Sequence, residues 1–199
     1  MTKNLAMEDT LSRSRHQMIM ALNANITHKM SLAAALGQNW DLTERQTDPI
    51  ARSLAHICAI SLEQMFTKLH SLFDNKNGWS LHRTTNSQRT GLIRSKETVV
   101  LFRDLCGSPH KEIRDKIRVL RHNVSAHNDP DEALPKLLER HSPAIAETDE
   151  FLDKVGEYVE RLHKENPCQN SLSYSHKFCR EQLERDMALF FTRATSTVR

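Results

Sequence analysis

Two side chains six positions apart, Arg121 and His127, stand in the stretch Leu120-Arg121-His122-Asn123-Val124-Ser125-Ala126-His127-Asn128-Asp129. An imidazole changes charge near neutral pH and moves a proton; a guanidinium is a permanent cation with a planar fork of donors. Together they suit metal-free cleavage of RNA, in which the 2′-hydroxyl attacks the adjacent phosphate. That reaction needs a proton mover and a cation to hold the charge that develops on the phosphorane. Helical geometry works against the pair. Six residues are roughly 600° of rotation, so on one regular helix the two side chains sit about 120° apart. They converge only if the helix bends or ends near Asn123 to Ser125, or if a second copy of the chain completes the site.

The residues upstream carry two parallel stripes. Ile113, Ile117, Leu120 and Val124 follow an apolar helical period, and Arg114, Arg118, Arg121 and Ser125 run beside them. Five basic residues between Lys111 and Arg121 face only Glu112 and Asp115, so this element is more basic than the chain as a whole. Cations along one helix face hold phosphate oxygens, and Arg does so with two parallel bonds. Arg114, Arg118 and Asn123 are therefore the candidate substrate-binding residues. Asn128 and Asp129 either orient His127 from behind or form the turn before Pro130.

The segment from Arg121 to His127 resembles the signature of the HEPN superfamily, an Arg followed after four to six residues by His. The wider frame resembles the abortive-infection (AbiU-type) subgroup: a Leu before the Arg, Ala-His-Asn-Asp at the end, and an earlier helix closing on Leu72-Phe73-Asp74. The similarity spans Thr10 to about Glu165. It implies a helical bundle that dimerises in parallel, with two Arg-His sets facing each other across a cleft. It also implies a cytoplasmic, metal-independent endoribonuclease of toxin or antiviral-defence type, with RNA as substrate and no cofactor. Arg121 would then bind and stabilise phosphate and His127 would transfer the proton. His122 would assist from the polar position after the Arg, which in the family is more often Asn or Asp. Two alternatives stay open. One is a non-catalytic HEPN module that binds RNA, nucleotide or protein; the other is the HEPN partner of a nucleotidyltransferase in a toxin–antitoxin pair, with an antitoxin protein as its companion.

The elements that must position these residues are helices. Five glycines and six prolines in 199 residues are too few for a fold of strands and tight turns. The apolar spacing predicts one all-α domain over residues 1–199, a bundle of five to six helices with its core at about 10–166 and a C-terminal helix at about 171–195. Leu11, Met18, Leu22, Ile26, Ala33 and Leu36 share one helical face that closes at Gly37. Asp48-Pro49 opens a second helix that stops at Asp74-Asn75-Lys76-Asn77-Gly78. Residues 79–95 read as a polar loop. Val99, Phe102 and Cys106 mark a brief helix ending at Gly107, and Ser108-Pro109 opens the basic helix with a cap and a proline. Leu134, Leu137 and Leu138 form a short segment. A helix carrying Phe151, Val155, Tyr158, Val159 and Leu162 follows, and the last helix carries Phe178, Cys179, Leu183, Met187, Phe190 and Ala194.

The balance of 28 basic against 25 acidic residues is too mild to demand a polyanionic partner by itself. Eleven histidines give the chain a large capacity to gain charge below pH ~6.5. Cys58, Cys106, Cys168 and Cys179 form no close pair and read as reduced, mostly buried thiols. His163, Cys168, His176 and Cys179 lack the short spacing of a zinc knuckle, so no metal site is expected. The most apolar windows are interrupted by charged residues, so no membrane span is expected.

Overall fold

The structure, a computed structural model, describes residues 2–37, 49–74, 80–81, 95–126, 143–167 and 175–196. At 2–7, 35–37, 51, 122–126 and 194–196 it describes the backbone alone. Among the described residues there are six α-helices and no strand. They are α1 (Thr2–Gly37), α2 (Pro49–Phe73), α3 (Lys96–Cys106), α4 (Lys111–Ala126), α5 (Ile145–Glu165) and α6 (His176–Ser196), with one 3-10 turn at Ser108–His110. This is the all-α bundle that the spacing predicts. No helix is long and apolar enough, among the described residues, to cross a membrane.

The centre of the bundle is α5. Phe151, Leu152, Val155, Tyr158, Val159 and Leu162 are all buried, and each contributes on the order of 1.5–3 kcal/mol by leaving water. The helix runs antiparallel to α1, with His163 bonded to the carbonyl of Leu11 at one end and Asp149 accepting from Asn25 and Lys29 at the other. Both α3 and α4 also run antiparallel to α5, one after the other. The start of α3 is tied to the end of α5: Glu165 accepts from the hydroxyls of Ser95 and Thr98, while Ser95 caps the Thr98 amide. Phe102 then meets Tyr158 at 5.5 Å between ring centroids, and further on His110 meets Phe151 at the same spacing. Lys116, on α4, reaches Glu147 near the start of α5. In effect α3 and α4 are one rod broken at Gly107.

That break differs from the expected cap. Ser108 makes no side-chain cap bond; Gly107 occupies the cap position in extended backbone, and Ser108–His110 forms a single 3-10 turn before α4 begins at Lys111. Three other expectations change. The first helix starts at Thr2, well before the first apolar residue of its stripe. Leu81 is fully buried although its surroundings read as a polar loop. On α6, Phe178 and Phe190 point outward, and the inward residues are Cys179, Leu183, Met187 and Phe191. The segment with Leu134, Leu137 and Leu138 lies outside the described residues, as do most of residues 79–95.

Polar contacts fix α6 against α5. Arg180 reaches Asp153 at 2.8 Å and Asp149 at 3.5 Å, and the His176 ring contacts Asp153 at 2.9 Å. That ring lies flat on Gly156: a Cβ there would come within 2.1 Å of its Nδ1. Glycine inside a helix normally costs about 0.5–1 kcal/mol relative to alanine. Here the clash outweighs that gain, so Gly156→Ala is expected to destabilise the bundle by about 1–3 kcal/mol in urea unfolding, the usual cost of overpacking. A variant as stable as the wild type would mean that α6 does not sit on α5 in this way.

Four imidazoles are held below their ordinary pKa, in each case first of all by burial: His28, His110, His163 and His176. Their neutral forms are favoured in the folded chain, so their contribution is complete above the unfolded value near pH ~6.5 and is lost as pH falls through the folded values. The melting temperature is expected to drop between pH 7 and pH 5, a window in which carboxylates remain ionised. A flat or rising profile would contradict the burial of these rings.

Candidate functional site

The site is built on α4. Its apolar stripe forms as the spacing predicts: Ile113, Ile117 and Leu120 are buried against the core. This burial turns the adjacent arginine stripe toward the flank that α4 shares with the end of α2. Three arginines that look equivalent in sequence have three different surroundings.

Arg114 is a structural bracket. Its Nη2 donates to the carbonyls of Cys106 and Gly107, and its Nε donates to the carbonyl of His110 at 3.3 Å. The Cys106 and Gly107 carbonyls lie where α3 ends, where helical carbonyls otherwise lack a partner, and the His110 carbonyl closes the 3-10 turn before α4. The Cys106 thiol beside it is pushed up to about 11 by burial, with Arg114 pulling it the other way, so it is no nucleophile at neutral pH. Arg118 is exposed and pairs with Asp115 at 3.2 Å. Asp115 also accepts from Lys111 at 2.6 Å, and that bond holds its carboxyl below the usual range.

Arg121 is half-buried and makes no hydrogen bond or ion pair among the described residues. A guanidinium drawn partly out of water without an acceptor costs free energy that an anion would recover.

The backbone of α4 is helical through Ala126, the last described residue before 143. His122 and Asn123 lie on its last turns, but their side chains are outside what the structure describes, and His127, Asn128 and Asp129 lie outside the described residues. One neighbour escaped the sequence reading. His70, on the last turn of α2, lines a cleft of about 150 Å³ together with Leu69, Phe73, Arg114, Ile117 and Arg118. Nothing in its spacing along α2 marks it; only the approach of α4 does.

The residues weighed as metal ligands are engaged elsewhere, His163 with the Leu11 carbonyl and His176 with Asp153, while Cys168 lies outside the described residues. Among the described residues no three ligand-type side chains gather at one point. Cys58, Cys106 and Cys179 are free thiols.

The different surroundings of Arg114 and Arg121 separate folding from function. Arg114→Met removes a donor from three carbonyls and is expected to cost about 1–3 kcal/mol in chemical denaturation. Arg121→Met removes an unpaired charge from a half-buried position and is expected to leave stability unchanged or slightly raised. Equal losses from both substitutions would assign Arg121 a structural role. Set against protein-family models, characterised proteins and solved structures, the chain matches none of them.

Proposed function

We propose that this chain is a metal-independent endoribonuclease of HEPN type, acting in toxin or antiviral defence, with Arg121 and His127 as its working pair. In this reading Arg121 binds the scissile phosphate. His127 takes the proton from the 2′-hydroxyl as that oxygen attacks phosphorus, the P–O5′ bond breaks, and the leaving 5′-oxygen takes a proton from solvent water. The products are a 2′,3′-cyclic phosphate and a 5′-hydroxyl end. His122 assists beside Arg121, Arg118 and Asn123 hold neighbouring phosphates, and Asn128 and Asp129 orient the imidazole. Arg114 contributes charge from a fixed position.

The observation that supports this reading most is the half-buried guanidinium of Arg121, without an acceptor among the described residues and one and two turns beyond two arginines that have acceptors. A cation left without an acceptor on the most basic helix suits a polyanion. The helical run of α4 through Ala126 bears on the partner. If the helix continues regularly, His127 lies about 120° from Arg121 on the same copy. A homodimer in which Arg121 of one copy works with His127 of the other removes the conflict. The same unpartnered cation also favours the second reading, a HEPN module that binds RNA, nucleotide or an antitoxin protein without cutting anything.

Incubation of total RNA with purified protein in excess EDTA separates the two. The nuclease reading expects cleavage that survives chelation and disappears in Arg121→Ala and in His127→Ala. Intact RNA with salt-dependent binding means the binding module. Co-refolding the two inactive variants tests the shared site: half the dimers are then mixed and each has one intact site, so about a quarter of wild-type activity should return. No return would place both residues in one copy.

A further inference from the structure

The cleft between the last turn of α2 and the middle of α4 combines two chemistries. Phe73 gives it a partly exposed apolar edge above the buried Leu69 and Ile117, and His70 and Arg118 stand with Arg114 around it. An apolar hollow with a few convergent polar groups is what a small planar ligand needs. Its volume of about 150 Å³ suits one flat ring rather than a large cofactor.

The charges decide how such a ligand would lie. The one carboxylate at the cleft, Asp115, is balanced by Lys111 and Arg118 together. The Arg118–Asp115 pair is exposed, so it is worth only about 0–1 kcal/mol. Arg118 can leave it for a phosphate, which accepts a fork of two charge-assisted bonds. On the other wall, the C-terminal carbonyls of α2 carry partial negative charge and repel an anion. The anionic group therefore belongs on the α4 wall and the ring on the α2 wall, where Phe73 and Leu69 lie. Arg118 and Arg121 are three residues apart on one stripe, ~4.5 Å along the helix axis, so a strand seated on Arg121 passes the mouth of this cleft.

We infer that the α2–α4 cleft is a nucleotide subsite: it takes one base of single-stranded RNA against Phe73, its phosphate on Arg118, and a hydrogen bond to the base edge from His70. The inference rests on the RNA reading above but concerns residues other than Arg121 and His127.

The test uses the full chain and a short 2′-O-methyl oligoribonucleotide, which has no hydroxyl to attack phosphorus, with binding followed by fluorescence anisotropy. Arg118→Glu should weaken binding about tenfold and lower the salt slope by about one, and His70→Gln should weaken it about threefold with the slope unchanged. Arg118→Lys should recover part of the loss. The exposed Arg103→Glu on α3 should bind as the wild type does. Adenosine monophosphate should compete at lower concentration than inorganic phosphate, and the His70 imidazole resonances should shift on its addition. Wild-type binding by both cleft variants, with Arg121→Ala still weakened, would overturn the subsite and leave the Arg121 reading standing. Equal competition by phosphate and nucleotide would remove the base from the cleft. No binding by the wild type would sink both.

Discussion

The direction of α4 depends on the join with α3, and everything proposed for the arginine stripe depends on that direction. Gly107 stops one helix, a single turn redirects the chain, and the guanidinium of Arg114 spans the gap by holding the carbonyls of Cys106, Gly107 and His110 at once. Helix-end carbonyls left without donors in a half-buried join would cost about 1–3 kcal/mol each, comparable to a good part of a domain's net stability. His110 secures the same point from the other side by packing on Phe151 of the central helix. With both contacts made, α4 follows α5 toward its start, and its arginines come out along the flank shared with α2.

This explains why part of the site was legible in the sequence and part was not. The apolar period Ile113-Ile117-Leu120 is a local property of α4, and it reads correctly because burial follows the period wherever a core is available. The fates of Arg114, Arg118 and Arg121 are not local. They depend on carbonyls seven and eight residues upstream, on an aspartate one turn back, and on how much of each guanidinium other helices cover. Periodicity gives all three the same face and cannot rank them. His70 was invisible for the same reason, since its importance comes from α4 passing beside it. On α6 the error was one of phase: Phe178 and Phe190 are as apolar as Phe191, and only the contact with Leu54, Met30 and Met187 selects the last. Gly156 gave no signal at all, because a ring from another helix defines its role.

The histidines show a similar division. From composition, eleven of them suggest a chain ready to gain charge on mild acidification. Four are in fact held toward neutrality by burial, which outweighs the opposing pull of the Cys58 carbonyl on His28, the Leu11 carbonyl on His163 and Asp153 on His176, while Lys154 adds to it at His110. These serve the packing. A proton-transfer group has the opposite requirement, a ring near its ordinary pKa with one nitrogen open to substrate.

Arg121 is the place where fold and function make different demands. A bundle selected for stability alone would gain by replacing a half-buried, unpaired guanidinium with methionine or leucine, or by placing an aspartate beside it as it does for Arg118. Neither is seen among the described residues, although one turn earlier Arg118 has its aspartate and two turns earlier Arg114 has three carbonyl acceptors. Local inconsistency of this kind in an otherwise consistent helix is where sequence and packing disagree, and it singles out Arg121 for the substitution tests. Among the described residues the Arg121 guanidinium is half-buried and has no acceptor, a state that an anion beside it would relieve.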